Sequence, residues 1–132
     1  MDLVSKLRKR LAADEGGFTL IELLVVLVII GILLAIAVPS YLGFKDRAEK
    51  KAAAANVRSA IPAAEAYYSD NGNYTGLSVA SLQAIDAGIR LTVVSSTATT
   101  YCLQDDQGTH SASVNGPGGS VLDESQAGYA AC

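Results

Sequence analysis

Phe18–Val38 is a run of 21 residues whose polar members are Thr19 and Glu22. At ~1.5 Å per residue a helix of this length spans roughly 31 Å, about one hydrocarbon thickness. It is apolar on every face, as a helix must be when lipid or other helices surround it. The run takes a large share of a 132-residue chain that is 50% hydrophobic, so what remains suffices for one small domain. Glu22 is the anomaly: a charge in a spanning helix costs ~2.5–3.5 kcal/mol at its centre and less near its end.

Downstream, the apolar pattern changes period. Pro39 ends or kinks the first run, because it lacks an N–H and crowds the preceding turn. Gly31 is a second weak point, since glycine inside a helix costs roughly 1 kcal/mol relative to alanine. Ala53, Val57, Ala60, Ile61, Ala64, Tyr67 and Tyr68 then recur at steps of three and four, an amphipathic stripe low enough for another element to approach closely. Pro62 bends the helix locally, and the turn formers of Ser69–Gly76 stop it. One helix with a kink or two, from about Phe18 to about Tyr68, is predicted. Short elements follow: one or two helical turns over Ser78–Asp86 capped by Ser78, strands over Ile89–Val94 and Thr97–Gln104 with a turn at Ser95–Ala98, a weaker strand in "QGTHSASV", a loop at Asn115–Gly119, and a last short strand at Val121–Leu122. The fold class is α+β, a long N-terminal helix against a small antiparallel sheet.

The charges are segregated. Lys6, Arg8, Lys9 and Arg10 precede the apolar run, Lys45, Arg47, Lys50 and Lys51 follow it, and acids dominate the C-terminal half. A net charge of −3 provides no basic footprint for nucleic acid, and no specific nucleic-acid site is evident. With two widely spaced cysteines and a single histidine, His110, neither a zinc site nor a catalytic triad is defensible, and no cofactor is implied. His110 reads as a polar strand residue. Asp105-Asp106 and Asp123-Glu124 read as solvated charge rather than calcium ligands, because carboxylate pairs alone are a weak ligand signal. Cys102 and Cys132 are two buried thiols, or a disulfide if the domain is exported.

Three fates are open to the apolar run. Ala35-Ile36-Ala37 has the small-x-small pattern of a secretory cleavage site, but the run exceeds the ~7–15 residues of a signal core. A plain membrane anchor has four basic residues near each end, so the positive-inside rule nearly ties. It leaves Glu22 as a tolerated blemish near the headgroups.

The third fate rests on a resemblance. "GGFTLIELLVVLVIIGILLAIAVPSYLGF", Gly16–Phe44, closely resembles the N-terminus of type IV pilins and type II secretion pseudopilins, with Gly17, Phe18 and Glu22 in the family's places for glycine, phenylalanine and glutamate. The resemblance implies a leader, residues 1–17, cut after Gly17 by a membrane prepilin peptidase, and N-methylation of Phe18. It implies residues 18–38 as the spanning and filament-core helix, 39–69 as its amphipathic continuation, and 70–132 as the sheet domain. The implied partners are copies of itself, the peptidase, an inner-membrane assembly platform and the membrane before assembly. The precursor would sit in the bacterial inner membrane with its C-terminal domain exported, and the product on the cell surface as a pilus. Gly31 and Pro39 would bound a segment able to melt in the filament. Cys102–Cys132 would be a disulfide around a C-terminal region.

Cleavage would create an α-amine on Phe18, protonated or nearly so at neutral pH. Glu22, one turn away, would meet that cation in its own subunit or a neighbour, so that a mis-staggered subunit leaves a buried carboxylate unpaired. The alternatives are a pseudopilin of a secretion or DNA-uptake system, and a monomeric anchored or secreted binding domain. No catalytic constellation is present, which reads as a non-enzyme.

Overall fold

The computed structural model describes residues 2–13 and 17–132. It contains helices α1 (Asp2–Ala13), α2 (Leu20–Asn71) and α3 (Val79–Ile85), then strands β1 (Thr92–Ser96), β2 (Tyr101–Gln107), β3 (His110–Gly116) and β4 (Leu122–Asp123). The chain divides into two compact units, one through Tyr41 and one over Leu42–Cys132.

In the first unit, α1 is a 12-residue helix and α2 begins at Leu20. From Leu20 to Val38 the large apolar side chains of α2 are exposed on every side. The segment has a mean hydropathy of 3.2 in its most apolar window and buries none of it. The helix does not end at Pro39, nor at Gly31 or Pro62. Pro39 cannot donate to the carbonyl one turn back. Beside it, Ser40 Oγ donates to the Ile36 carbonyl at 3.1 Å, a side-chain bond that follows the same i to i−4 path.

In the second unit, α2 buries Ala53, Ala54, Val57, Ala60, Ala63 and Ala64. Their short side chains let the sheet come close, and Leu103, Ala112 and Val114 meet them there. Tyr74, Leu77, Leu82 and Ile89 complete the core from the segment between helix and sheet. Of the predicted stripe, Ile61 and Tyr67 sit at its margin, whereas Tyr68 stays exposed and leans on Tyr74 with ring centroids 4.7 Å apart. The helix stops where Gly72 takes a left-handed φ of 74° and donates its N–H to the Tyr68 carbonyl at 2.7 Å.

Ser78 caps α3 in a reciprocal capping box with Ser81. The sheet is an antiparallel meander in the order β1-β2-β3-β4. Its predicted boundaries need correction. Ile89 belongs to the core rather than to a strand, because Gln83 Nε2 of α3 donates to its carbonyl at 3.0 Å and its own N–H donates to the Asp86 carbonyl at 3.2 Å. The first hairpin turns at Thr97–Thr100, not Ser95–Ala98. The Thr97 N–H donates to the Thr100 carbonyl at 2.8 Å and the Thr97 hydroxyl accepts from the Thr100 N–H at 3.0 Å, leaving Ser95 and Ser96 paired with Cys102 and Tyr101.

Across β2 and β3, Tyr101 faces Gly116, Leu103 faces Val114 and Asp105 faces Ala112. The Tyr101 ring lies directly over Gly116, where a Cβ would fall 2.1 Å from Cζ. Cys102 is bonded to Cys132. The C-terminal segment is tied further to the sheet by Ser113 Oγ on the Ala130 carbonyl at 2.8 Å and by the Cys132 N–H on Gln104 Oε1 at 3.2 Å.

Candidate functional site

The first turn of α2 brings Gly17, Phe18, Thr19 and Glu22 together. Gly17, Phe18 and Thr19 lie outside the helix, and a Cβ on Gly17 would meet nothing within 4 Å. The Gly17–Phe18 bond is therefore in accessible, non-helical chain, the form in which a protease can bind a backbone. Phe18 is 83% exposed. These residues, with Leu23 and Val26, line a shallow surface depression. Gly16, the other glycine of the motif, lies outside the described residues.

Glu22 has a partner that sequence reading missed. Its Oε2 accepts the Thr19 N–H at 2.9 Å, and its own N–H donates to Thr19 Oγ1 at 3.3 Å. Thr19-x-x-Glu22 is thus a capping box, satisfying two of the N–H groups that a helix start leaves open. A carboxylate in the first turn is also favoured by the positive end of the helix dipole. The signal was legible as T-x-x-E, but it stood inside an apolar run where only the charge drew notice. Gly31 has open space around it, and Pro39 lies within the continuous helix.

A second polar centre lies on the globular unit. His110, at the start of β3, has a side chain only 11% exposed, with Nε2 2.6 Å from Asp46 Oδ1 on α2 and Nδ1 against Glu124 Oε1 beyond β4. A protonated imidazole donates to both. The Glu124 hydrogen bond first, and Asp46 second, hold the histidine pKa above its ordinary value. Asp46 also pairs with Lys50 at 3.1 Å, and that contact above all holds its carboxyl below the usual range. "A polar strand residue" understates His110, which clamps three elements.

Asp105 likewise departs from the solvated charge expected of it. It is buried, and its Oδ2 accepts from Asn56 Nδ2 at 2.8 Å and Gln107 Nε2 at 2.9 Å. Among the described residues no group of three or more His, Cys, Asp or Glu is placed to hold a metal ion. Glu65 on α2 accepts from Tyr74 Oη at 2.9 Å and Tyr101 Oη at 3.1 Å. Burial, then the Glu65 bond, pushes the Tyr74 phenol up to about 12, and the same causes raise Tyr101. These tyrosines are packing and latch, not acid–base groups at neutral pH.

Residues 13–38 match the prokaryotic N-terminal methylation motif. The chain is 37% identical over 94 residues to the type IV wide pilus major component PilA4 of Thermus thermophilus, covering 68% of this chain and 72% of that one. The chain belongs to the type IV pilin family. It is also 41% identical over 59 residues to the type IV major pilin PilA of Myxococcus xanthus, covering 45% of this chain and 27% of that one. To the type II secretion system core protein G of Escherichia coli it is 38% identical over 65 residues, 49% of this chain and 45% of the other. The pilin motif and the capped start of α2 coincide: in this family member the glutamate of the motif is also the N3 residue of a capping box.

Proposed function

We infer that this chain is the structural subunit of a type IV pilus, synthesised as a membrane-inserted precursor. Residues 1–17 are removed by a prepilin peptidase cutting after Gly17, and Phe18 becomes the N-methylated first residue. Residues 18–38 span the bacterial inner membrane until an assembly platform transfers the subunit into a filament. There the same helix packs on copies of itself, and residues 39–69 and 70–132 form the outward domain. The role is structural rather than catalytic.

One observation carries the reading. The part of α2 that precedes Pro39 is apolar all round and covered by nothing among the described residues. Leaving each large side chain in water forgoes ~1.5–3 kcal/mol, so the helix needs lipid, like helices, or each in turn. A pilin has both environments in succession.

A pseudopilin role is the second reading, favoured by the resemblance to protein G. That match covers less of the chain than the match to the Thermus pilin, which supports the pilus role. The test is the N-terminal residue and mass of the mature protein from a sheared surface fraction. N-methylated Phe18 in filaments is expected. An N-terminus at Val38 means an ordinary secreted protein, and an intact Met1 end means an anchor; either overturns the proposal.

A further inference from the structure

The leader itself has a shape that cleavage does not require. In α1, Leu3, Val4 and Leu7 share one side of the helix and are 75%, 67% and 55% exposed. Lys6, Arg8 and Lys9 are exposed as well; at 3.6 residues per turn Lys6 and Arg8 fall on the two flanks of that apolar side and Lys9 on the side opposite it. Asp2, in the first turn, is the one acidic residue of the helix. A helix of 12 residues is marginal in water on its own, so an amphipathic one needs a surface on which to fold.

We propose that α1 lies in the headgroup layer of an anionic bilayer, with Leu3, Val4 and Leu7 toward the acyl chains and the flanking Lys6 and Arg8 among the phosphates. Charge complementarity selects lipid over a protein groove. A narrow apolar arc rimmed by cations matches a negatively charged interface, each basic residue raising attachment on the order of fivefold. Chain continuity points the same way. Residues 14–19 alone separate α1 from the apolar start of α2, so α1 cannot leave the vicinity of the membrane that α2 enters. The inference rests on α2 spanning the bilayer. Its consequence is positional: an adsorbed α1 and a spanning α2 hold Gly17–Phe18 between two anchors at the membrane surface, where a membrane peptidase works.

The test uses the full-length precursor in vesicles. Cys102 and Cys132 are bonded to each other, so a fluorescent probe goes only to an introduced thiol. Probes are placed singly by Leu7→Cys or Val4→Cys on the apolar side, Ser5→Cys on the opposite side, and Leu27→Cys in α2. In mixed phosphatidylglycerol–phosphatidylcholine vesicles, lipid-borne nitroxide should quench the probes at positions 4, 7 and 27. Aqueous iodide should quench the probe at position 5. Phosphatidylcholine alone, or Lys6→Gln with Arg8→Gln, should abolish lipid quenching at positions 4 and 7 and leave position 27 unchanged. Iodide quenching at position 7 equal to that at position 5, with position 27 still in lipid, overturns the proposal alone. A probe at position 27 that lipid does not quench overturns the spanning reading and the proposal together. Shielding of position 7 from both quenchers, growing with protein concentration, means a second copy covers α1 and also overturns it.

Discussion

Glu22→Gln separates two jobs that the carboxylate performs together. In the structure Glu22 closes a capping box whose two bonds measure 2.9 and 3.3 Å. Glutamine keeps an acceptor at N3 and so preserves the cap. It removes only the charge. Losing such a cap altogether costs ~1 kcal/mol, a fivefold effect confined to the first turn of a 52-residue helix. An ammonium left without its carboxylate in a dry subunit interface costs ~3–5 kcal/mol, about two to nearly four orders of magnitude in each contact. The charge should therefore dominate. Glu22→Gln should reduce filament number nearly as far as Glu22→Ala does. Thr19→Ala, which removes only the bond at 3.3 Å, should leave filaments near normal. The assay is filament counting by electron microscopy beside immunoblots of precursor and processed subunit in membranes, which must stay at parental levels in all three variants. Normal piliation in Glu22→Gln with loss in Thr19→Ala would refute the pairing argument and leave the cap as the reason for Glu22.

Three further outcomes follow from the globular unit. Cys132→Ser opens a loop of 30-residue separation, worth roughly 4 kcal/mol in the chain-entropy model, and should lower the melting temperature and speed amide exchange over 124–132 without slowing cleavage at Gly17. His110, whose folded pKa is raised, adds stability that is complete below its unfolded pKa of about 6.5 and lost as pH rises through the higher folded value. Asp46, whose folded pKa is depressed, adds stability that fades only as pH falls below about 3.8, so the clamp is strongest between the two. Thermal melts should show the alkaline decline in the parent and a flatter profile in His110→Gln. Gly116→Ala drives a methyl group into the Tyr101 ring and should cost ~1–3 kcal/mol by denaturant titration, with Tyr101→Leu recovering part of the loss in the double variant.

The parts of this fold legible beforehand were those with a period. Alanines spaced by three and four marked the buried side of α2, and the dense turn formers after Tyr68 marked its end, with Gly72 supplying the left-handed residue. The strand ends were not legible, because serine and threonine flank the Thr97–Thr100 turn on both sides and carry similar propensity in strand and turn. His110 gave no local sign of its role, since Asp46 and Glu124 reach it from a distant helix and from beyond the last strand. Asp105 was misjudged for a similar reason: one of the two amides that hold it comes from Asn56, 49 residues away. Periodicity reports which side of an element is dry. It does not report which polar groups will meet there.

The capping box also bears on where the Phe18 amine finds its counter-charge. Thr19 N–H, which Glu22 already holds, is the amide next along the chain from the Phe18 nitrogen that cleavage would free. The carboxylate is thus drawn by the cap to within about one residue, ~3.8 Å of chain, of the new cation in its own subunit. Only Oε2 is committed to the cap among the described residues, which leaves Oε1 available to accept a second donor. Pairing within the subunit consequently needs no movement of the helix, whereas pairing with a neighbour must compete with it. A register role for Glu22 then requires that the neighbour's amine add to the intrachain contact rather than replace it. Mixing subunits settles the order. If the intrachain contact suffices, Glu22→Gln subunits diluted among parental ones should enter filaments at a frequency set by their own defect alone. If the neighbour's contact decides, their incorporation should fall more steeply as their share rises, because each variant then also strips a partner from the subunit beside it.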